Sequence, residues 1–464
     1  MHPQRNGGVS FWYSDMGGLP ARRPSLATNR AADVAIIGGG YTGLWSAYYL
    51  KKLDPRLDIV VVEKEFAGFG ASGRNGGWLT GSFAWNHEKY LATSSRDSVR
   101  SMVRALARTP GEVVAVCRRE GINADIVETD ELAVATNRAQ LERVHKELQS
   151  RKAWDVDEDR VSVLDETQTR SRLNVAGALG ALCIAGVARI QPAKLVTGLA
   201  KCVERLGVTI YESTEVRSFS KGRVVTTSPA GHAITAPKIL RCTEGFTATL
   251  PGLRRDWLPL NSAQIITEPL PDTTWRDIGW AGNELMGDMA NTYCYAQRTR
   301  DGRIAMGGRG VPYRFGSAID SEGKADDETV RRLLATLHRH FPATRTARID
   351  HAWCGVLGVP RDWCATVGWD AETGVGFAGG YVGVGVATSH LAGRTLADLV
   401  LGRDTELARL PWVNRKVRKW EPEPVRWVGV NGMYALYAEA DRREHEGMER
   451  TSRLAEVGNW ITGR

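Results

Sequence analysis

The strongest constraint on the fold is a glycine-rich turn, in which Gly38, Gly40 and Gly43 follow an apolar strand and open an amphipathic helix. This spacing allows a tight turn, a close approach of backbone to a pyrophosphate and close packing of helix on strand. Glu63, at the end of the next apolar strand, can accept a hydrogen bond from a ribose hydroxyl. The chain therefore opens with a strand-helix-strand unit that predicts a dinucleotide site. The turn alone does not separate FAD from NAD, and a bare glycine-rich turn is the alternative.

The size and composition of the chain are those of a two-domain globular protein. Its 464 residues exceed what one hydrophobic core usually organises, and 42% of them are hydrophobic. The net charge of +8 is spread along the chain, so we expect no nucleic-acid partner. The seven cysteines form no Cys-x-x-Cys pair, which argues against a disulfide framework and a metal site. Because we find neither an apolar run long enough to span a bilayer nor a secretory signal, we expect a cytoplasmic protein without a transmembrane segment.

The order of apolar and amphipathic segments predicts an α/β (α+β) protein. We expect a Rossmann-like domain assembled from discontinuous segments, and a second domain with an antiparallel sheet over residues 260–310. Helical periodicity covers residues 97–150, with one break at Thr109-Pro110. Short strands within residues 223–245 should return to the first sheet. The expected division is a cofactor-binding domain of residues 30–95, 185–250 and 350–410, a substrate domain of 96–184 and 251–349, an N-terminal arm of 1–29 pinned by aromatic side chains, and a C-terminal helical extension of 411–464.

Two further glycine-rich segments favour FAD over NAD. The loop of residues 68–77 carries five glycines with serine, arginine and asparagine side chains between them, so it can wrap a long ligand. A plain surface loop is the alternative. Later, Gly383 and Gly385 precede a helix whose N-terminal N–H groups could stabilise negative charge on the pyrimidine end of a reduced flavin. The alternative there is a helix entry with only a packing role.

Together these segments resemble the D-amino-acid oxidase superfamily of FAD-dependent oxidoreductases. More narrowly, they resemble its γ-glutamylputrescine oxidoreductase-like branch, which is related to glycine and sarcosine oxidases. The resemblance implies an FAD-binding domain joined to a substrate domain whose antiparallel sheet holds the substrate over one face of the flavin. It spans roughly residues 10 to 430 and rests on the first glycine turn, GASGRNGG, ARIQPAKLVTGL with ESTEV, CTEGF before LPGL, and GGYVGVGVA.

The resemblance also implies a reaction and a set of cofactor contacts. The reaction is oxidation of a C–N bond of an amine or amino-acid-like molecule by hydride transfer to flavin N5. The imine product is then hydrolysed, and molecular oxygen or another electron acceptor takes the electrons. Carried onto matching positions, the expected FAD contacts are Gly38, Gly40, Tyr41, Thr42, Gly43, Glu63, Lys64, Ser72, Gly73, Arg74, Asn75, Gly76, Val216, Thr243, Gly245, Cys354, Gly355, Gly383, Val384, Gly385, Val386 and Thr388.

Aromatic and polar residues on the expected second-domain sheet are candidates for the substrate pocket. Tyr293 and Tyr295 lie two positions apart, so alternation on one strand would place them on the same face, where they could box an amine. Arg309, with Tyr313 shortly after it, could clamp a carboxylate. An ordinary core or sheet-surface role is the alternative for these residues. We expect the scattered histidines to be surface or packing residues, because hydride transfer from a neutral amine needs no protein base.

Cys354 stands six positions before Pro360, which resembles the placement of the cysteine that carries covalent flavin in relatives of monomeric sarcosine oxidase. The sequence around it departs from theirs, and a buried, inert thiol is the alternative. Two other functions stay open. One is FAD-dependent oxidation of a 2-hydroxy acid or a biosynthetic intermediate, and the other is a dinucleotide-binding protein without catalysis.

Overall fold

The computed structural model describes residues 2–82, 87–154, 158–227, 231–308 and 313–462. Over these residues the chain forms a mainly parallel sheet, a larger and mainly antiparallel sheet, and a small third sheet, with helices packed on them. This mixed architecture confirms the predicted α/β fold class. Within the same ranges, we find no helix that is both long and apolar enough to span a membrane.

The first sheet carries the glycine turn. Its central strands are buried along their whole length, as expected for a parallel sheet that is covered on both faces. Neighbouring strands run parallel, apart from the antiparallel pair at one edge. Across the described part of the chain the strand order is β19 (Thr366–Asp370), β20 (Val375–Gly379), β13 (Lys238–Arg241), β3 (Val34–Ile37), β4 (Ile59–Val62) and β9 (Thr209–Tyr211).

The second sheet is the largest of the three in the described part of the chain. Most of its neighbouring strands are antiparallel, which confirms the pattern read from residues 260–310. Its described strands, in spatial order, are β1 (Arg5–Asn6), β18 (Ile349–Pro360), β14 (Trp257–Thr267), β17 (Ile304–Gly308), β16 (Cys294–Arg298), β15 (Leu285–Asp288), β6 (Val127–Ala135), β8 (Gly180–Arg189) and β5 (Trp78–Leu79), with β7 (Val161–Asp165) also paired to β8.

Twelve helices lie within the described residues, and most pack on one of the two large sheets. The buried helix pair α2 and α10 covers the first sheet, where both helices begin just beyond a strand of that sheet. In chain order the helices are α1 (Phe11–Asp15), α2 (Tyr41–Leu53), α3 (His87–Leu91), α4 (Arg96–Glu120), α5 (Arg138–Ala153), α6 (Glu166–Arg172), α7 (Pro192–Arg205), α8 (Asp272–Ile278), α9 (Asp327–His340), α10 (Gly385–Val400), α11 (Val425–His445) and α12 (Arg453–Thr462).

Helix α4 corrects two expectations. The helix runs without interruption through Pro110, where a break was expected. Proline removes the backbone donor that would reach the carbonyl of Leu106, and the next carbonyl, that of Ala107, accepts a hydrogen bond of 2.9 Å from Arg160. The apolar face of α4 packs in the same core as α2 and α10, whereas residues 96–120 were expected in the substrate domain; α4 also contacts β8 of the second sheet.

The strand assignments of two other segments were wrong. Strand β18, placed in the first domain through the range 350–410, is a long strand near one edge of the second sheet, because it pairs with β14 along almost its whole length. Residues 223–226 and 233–235 do not return to the first sheet. They form a separate sheet with β2, in the order β10 (Val216–Ser220), β11 (Arg223–Thr226), β12 (Ala233–Thr235) and β2 (Arg30–Ala31), and only β13 returns.

The N-terminal arm is held down as predicted, although it contains regular structure. Phe11, Trp12 and Tyr13 are at most 8% exposed and form helix α1, while β1 adds to the edge of the second sheet. The Trp12 indole donates to the carbonyl of Asn75 at 2.8 Å, and the Tyr13 hydroxyl donates to that of Gly68 at 3.0 Å. The arm therefore supports the glycine-rich loop of residues 68–77 through hydrogen bonds.

Candidate active site

The first glycine turn has the geometry that its spacing predicts. Gly38 has a φ of +107°, and a β-carbon there would lie 2.5 Å from the carbonyl oxygen of Cys242. A β-carbon at Gly43 would lie 2.1 Å from the carbonyl oxygen of Gly38, so only glycine lets α2 approach β3 so closely. The first N–H groups of α2 have no acceptor within the helix, and they lie at the end of the sheet. The turn is thus built for close backbone approach to a ligand.

The loop of residues 68–77 is fastened to this turn by hydrogen bonds. The Ser72 hydroxyl accepts from the backbone N–H of Tyr41 at 2.8 Å, and the N–H of Gly68 donates to the carbonyl of Gly39 at 3.0 Å. Asn75 closes the loop on itself, since its amide donates to the carbonyl of Ser72 and accepts from the N–H of Gly77. Two segments that are thirty residues apart in the chain therefore form one cradle.

Glu63 lies beside the turn, at the end of β4. Its carboxylate accepts from the N–H of Gly39 at 2.8 Å, and burial raises its pKa. Lys64 points elsewhere: its ammonium pairs with Glu215 at 2.7 Å in an exposed position. Val216, the residue after Glu215, lies at the start of β10. Only Glu63, of these residues, turns its side chain to the glycine turn.

Arg74 is not an open ligand contact, contrary to the expectation. Its side chain is 2% exposed and stacks on Phe69, with the guanidinium carbon 4.4 Å from the ring centroid. The guanidinium donates to the carbonyls of Phe69, Cys354 and Ser321 at 2.8 to 3.1 Å. Desolvation by burial lowers its pKa. Arg74 thus ties the glycine loop to β18 by its side chain.

A third segment reaches the turn at the end of β13. The Thr243 hydroxyl lies 2.8 Å from that of Thr247, next to the backbone that Gly38 approaches. Gly245 instead faces β18, where a β-carbon would meet the Val356 carbonyl at 2.9 Å. Between them, Glu244 has a φ of +42°, a conformation that a non-glycine residue seldom adopts.

Glu244 is a site residue that the sequence analysis missed. Its carboxylate accepts from the backbone N–H groups of Gly358 at 3.2 Å, Gly380 at 2.8 Å and Tyr381 at 3.3 Å. Burial raises its pKa to about 7. The carboxylate therefore joins the end of a first-sheet strand to β18 and to the segment before α10. The signal available in the sequence was an acidic residue in the turn CTEGF, directly beside the expected contact Thr243.

The segment Gly383–Thr388 forms the entry to α10, as predicted. Gly383 has a φ of +109°, and α10 begins at Gly385. The hydroxyl of Tyr381, just before it, lies 2.9 Å from that of Thr42 in the first turn of α2. Thr388 does not turn its hydroxyl outward, because this group donates to the carbonyl of Val384 at 2.7 Å. The N-termini of α2 and α10 therefore meet at one end of the first sheet.

A narrow cavity reaches the start of α10 from the side of α4. Its wall includes Val384 and Thr388, two of the expected cofactor contacts, together with Tyr381. The other lining residues come from the segment after β5, from α3 and α4, and from the segment after β18; they are Ser82, Tyr90, Met102, Leu106, Trp363, Cys364 and Ala365. The entry to α10 is thus bordered by the second sheet on one side and by this cavity on the other.

The second sheet presents one face to the glycine loops. Ser262, Gln264 and Gln297 point to that face: the amide of Gln297 donates to the carbonyl of Gly76 at 2.6 Å, and that of Gln264 donates to the Arg74 carbonyl. The opposite face is apolar and covered by α9. The alternation along β14, β16 and β18 thus divides each strand into a loop-facing set and a core set.

Tyr293 and Tyr295 reach the two glycine segments. A β-carbon at Gly383 would lie 3.7 Å from the Tyr293 hydroxyl, and one at Gly76 would lie 2.5 Å from the Tyr295 ring. The Tyr295 hydroxyl lies 3.1 Å from that of Ser262. The two tyrosines are not alternating residues of one strand, because β16 begins at Cys294 and Tyr293 lies in the turn before it.

The other two pocket candidates have different outcomes. Arg309 lies outside the described residues. Tyr313 is fully buried, and its hydroxyl donates to Glu423 of the C-terminal extension. It packs with Val382, Val359 and Val430 in an apolar cluster, so it serves the contact between the extension and the second sheet.

Cys354 lies on the core face of β18. It is opposite Ala263 and packs in the apolar cluster beneath α9, while its neighbour Gly355 faces Arg74 of the glycine loop. Burial raises the pKa of the thiol to about 11, which disfavours the nucleophilic thiolate. The expected covalent link through Cys354 is therefore contradicted by the direction of its side chain. Gly355, its neighbour in the expected contact set, does point to the loop.

One group of described side chains has the composition of a metal site. Potential ligand atoms of Asp288, Cys294 and His340 lie within 4.8 Å of one another, all buried. Both carboxylate oxygens of Asp288 already have donors: the backbone N–H of Cys294 at 2.9 Å and the His340 ring at 3.3 Å. We read the group as a structural hydrogen-bonded cluster beneath the Tyr293 turn, and the absence of a metal stays a prediction.

Comparison with known proteins identifies the kind of molecule that carries this site. A protein-family model described as FAD dependent oxidoreductase (DAO) matches residues 33–399. The chain is 29% identical over 409 residues to a probable oxidoreductase OrdL of Rhizobium meliloti, covering 85% of this chain and 89% of that one. It is 28% identical over 414 residues to the γ-glutamylputrescine oxidoreductase of Escherichia coli, covering 87% and 92%.

Solved structures support the same fold. Glycine oxidase from Geobacillus kaustophilus superposes with a TM-score of 0.68 at 22% identity, covering 84% of this chain and all of that one. L-Proline dehydrogenase from P. horikoshii gives a TM-score of 0.68 at 18% identity, covering 83% of this chain and 98% of that one.

Proposed function

The chain belongs to the DAO family of FAD-dependent oxidoreductases, and we propose that it oxidises a C–N bond of a small amine or amino-acid-like substrate. One observation carries the proposal. Two tyrosines of the second sheet reach the glycine segments of the first domain, Tyr293 at Gly383 and Tyr295 at Gly76. A substrate bound between these segments and the sheet would meet aromatic rings and hydroxyls, which suit an amine and its carbon chain.

The residues of the first domain fit an FAD. The glycine turn leaves no β-carbon between the first N–H groups of α2 and a pyrophosphate, and Glu63 lies beside that turn for a ribose hydroxyl. The hydroxyl contact between Thr42 and Tyr381 joins this end to the entry of α10 at Gly383. The cradle is therefore continuous from the adenine side to the flavin side.

We propose a contact set that is narrower than the one carried over by resemblance. The side chains of Lys64, Arg74 and Cys354 are engaged elsewhere, and Gly245 faces β18. The remaining positions stay as proposed FAD contacts: Gly38, Gly40, Tyr41, Thr42, Gly43, Glu63, Ser72, Gly73, Asn75, Gly76, Val216, Thr243, Gly355, Gly383, Val384, Gly385, Val386 and Thr388.

The bound flavin supplies the acceptor for a hydride from the carbon beside the amine nitrogen, and water then hydrolyses the substrate imine. The protein's part is to orient and to exclude water. The N-terminus of α10 offers N–H groups and a partial positive charge where negative charge would develop during reduction. The Tyr295 hydroxyl is held by Ser262, and Gln297 fixes the loop at Gly76. Tyr293 would complete the enclosure on the side of Gly383.

The names of two relatives support an amine over a hydroxy acid. One is a γ-glutamylputrescine oxidoreductase, and the other is a glycine oxidase of Bacillus licheniformis that is 25% identical over 382 residues, covering 80% of this chain and 93% of that one. A 2-hydroxy acid would fit the same flavin site, so matched substrates are needed to separate the two.

The test uses FAD-loaded protein without oxygen and follows the flavin absorbance at about 450 nm. Compounds are added as isosteric pairs, such as glycine with glycolate and alanine with lactate, together with N-methyl amino acids and γ-glutamyl amines. We expect at least one amine to bleach the flavin while its hydroxy counterpart does not. Bleaching by hydroxy acids alone would contradict the proposal, and no bleaching by any compound would favour a non-catalytic dinucleotide-binding protein.

A further inference from the structure

The C-terminal extension returns to the substrate side of the molecule. The family match ends at residue 399, and α11 (Val425–His445) lies wholly beyond it. Val430 and Tyr434 of this helix pack in the cluster that contains Val382, next to Gly383, and Leu357 of β18. Helix α11 therefore shares an apolar cluster with β18 and with the residue before Gly383, close to the two walls between which we place the substrate.

A buried carboxylate of α11 holds the turn that carries Tyr293. Asp441 is 8% exposed and accepts from the backbone N–H groups of Asn291 at 2.7 Å and Thr292 at 2.8 Å. It also accepts from the side chains of these two residues, at 2.9 Å from the Asn291 amide and 2.5 Å from the Thr292 hydroxyl. Four donors of one turn thus converge on one carboxylate of a helix about 150 residues away in the chain.

A second carboxylate of α11 holds the start of the same turn. Glu444 is 1% exposed and pairs with Arg143 at 2.7 Å, while Arg143 also donates to the carbonyl of Met289 at 2.7 Å. The Asn291 amide lies 3.3 Å from Glu444 as well. Asp441 and Glu444 are three positions apart, so they lie on one face of α11 and act on one turn.

The turn so held ends at Tyr293, whose hydroxyl lies at the entry to α10. Charge-assisted hydrogen bonds to backbone N–H groups are strong and directional, so they fix a turn more firmly than apolar packing would. The position of Tyr293, at the end of this turn, therefore depends on the Asp441 carboxylate that binds the turn.

We propose that α11 helps to form the substrate site and that Asp441 is a positioning residue. Asp441 holds Tyr293 beside Gly383, at the entry to α10, and so governs how the amine binds. The substrate role rests on the proposed function. Substrate affinity should then depend on a helix outside the part of the chain that the family model matches.

The test compares Asp441→Asn with Glu439→Gln in the FAD-loaded, full-length protein. Asparagine keeps the size of the side chain but replaces one acceptor oxygen by a donor, opposite the N–H and hydroxyl of Thr292. Glu439 is a matched control because it is a carboxylate on the same helix that pairs with Arg442 and Arg443 of that helix.

We expect Asp441→Asn to raise the amide hydrogen exchange of residues 289–293 about tenfold and to raise KM for the amine about tenfold, with kcat within about threefold of wild type. Flavin fluorescence should rise about twofold, because a displaced tyrosine quenches the flavin less. Glu439→Gln should change none of these quantities. Exchange and fluorescence need no substrate, so they separate failure of this inference from failure of the proposed function.

Exchange and fluorescence equal to those of the control would overturn the proposal. Faster exchange with unchanged fluorescence and KM would overturn it too, because the turn would then be held by Asp441 without serving the site. Should Asp441→Asn fail to fold, Thr292→Val removes one donor from the turn side. It should shift the same quantities in the same direction by a smaller factor, and a variant that matches wild type would contradict the proposal.

Discussion

The glycine turn of α2 and the turn that carries Tyr293 both border the proposed flavin site, but they are held in different ways. The first is fixed by close approaches of backbone to backbone: Gly43 approaches the carbonyl of Gly38 within the turn, and Gly38 approaches that of Cys242 just after β13. The second contains no glycine and is fixed by Asp441 and Glu444, on a helix far along the chain. The glycine turn can thus be recognised from its spacing in the sequence, whereas the position of the Tyr293 turn depends on how distant segments pack.

The largest effect should come from disrupting the glycine turn of α2. Gly43→Ala places a β-carbon 2.1 Å from the carbonyl oxygen of Gly38, so α2 must move away from β3. We expect the purified variant to retain less than about a tenth of the wild-type FAD and to lose about 3 kcal/mol or more of unfolding free energy. Flavin absorbance per chain and denaturant unfolding measure these quantities.

Gly111→Ala is the control for that experiment. Gly111 lies in α4, where a β-carbon would meet nothing within 4 Å. Alanine favours a helix by about 0.5 to 1 kcal/mol over glycine, so this variant should keep its FAD and be slightly more stable. A Gly43→Ala protein that binds FAD as well as Gly111→Ala would contradict the idea that the close approach at Gly43 fixes this turn.

A smaller effect should appear at Glu244, whose carboxylate joins the end of β13 to β18 and to the segment before α10. Burial raises the pKa of this carboxyl to about 7 from an ordinary value of 4.5, so the folded protein binds its proton more tightly than the unfolded chain. The stabilisation is therefore fully present below pH 4.5 and is lost as the pH rises to about 7. Between these limits, the unfolding free energy of wild type relative to Glu244→Gln should fall by about 2 to 3 kcal/mol.

Denaturant unfolding at a series of pH values gives this difference directly. The slope of the difference is the measure, because the substitution also changes the contacts to Gly358 and Gly380 at every pH. A difference that stays constant from pH 4.5 to 7 would show that this carboxyl does not titrate in the folded protein with a raised pKa.

The smallest effect is expected at Cys354, and it tests which face of the second sheet meets the cofactor. Because the thiol lies on the core face, Cys354→Ala should bind FAD as wild type does and lose only about 1 kcal/mol of stability from the small cavity. Acid denaturation should release all flavin from both proteins. Flavin that stays on the denatured wild-type chain and leaves the Cys354→Ala chain would reverse the assignment of faces.

The sequence was informative where function depends on local pattern. The spacing of Gly38, Gly40 and Gly43 predicted the turn, and the loop around Ser72 predicted the second wrap that the Ser72–Tyr41 hydrogen bond then closes. It was uninformative about side chains whose partners come from elsewhere. Arg74 has the composition of a ligand contact, yet its guanidinium is taken up by three carbonyls.

The sequence by itself therefore determined the class of cofactor, the glycine cradle and the presence of two sheets, because each follows from a short-range constraint on backbone conformation or apolar periodicity. Only the tertiary structure decided that Cys354 faces the core, that Glu244 joins the end of β13 to β18 and that Asp441 holds the turn of Tyr293. Strand alternation gives two faces without saying which is inward, and the acceptor of a backbone N–H in a turn can lie anywhere along the chain. The outcomes at Glu244 and Asp441 needed the packing of segments that are more than a hundred residues apart.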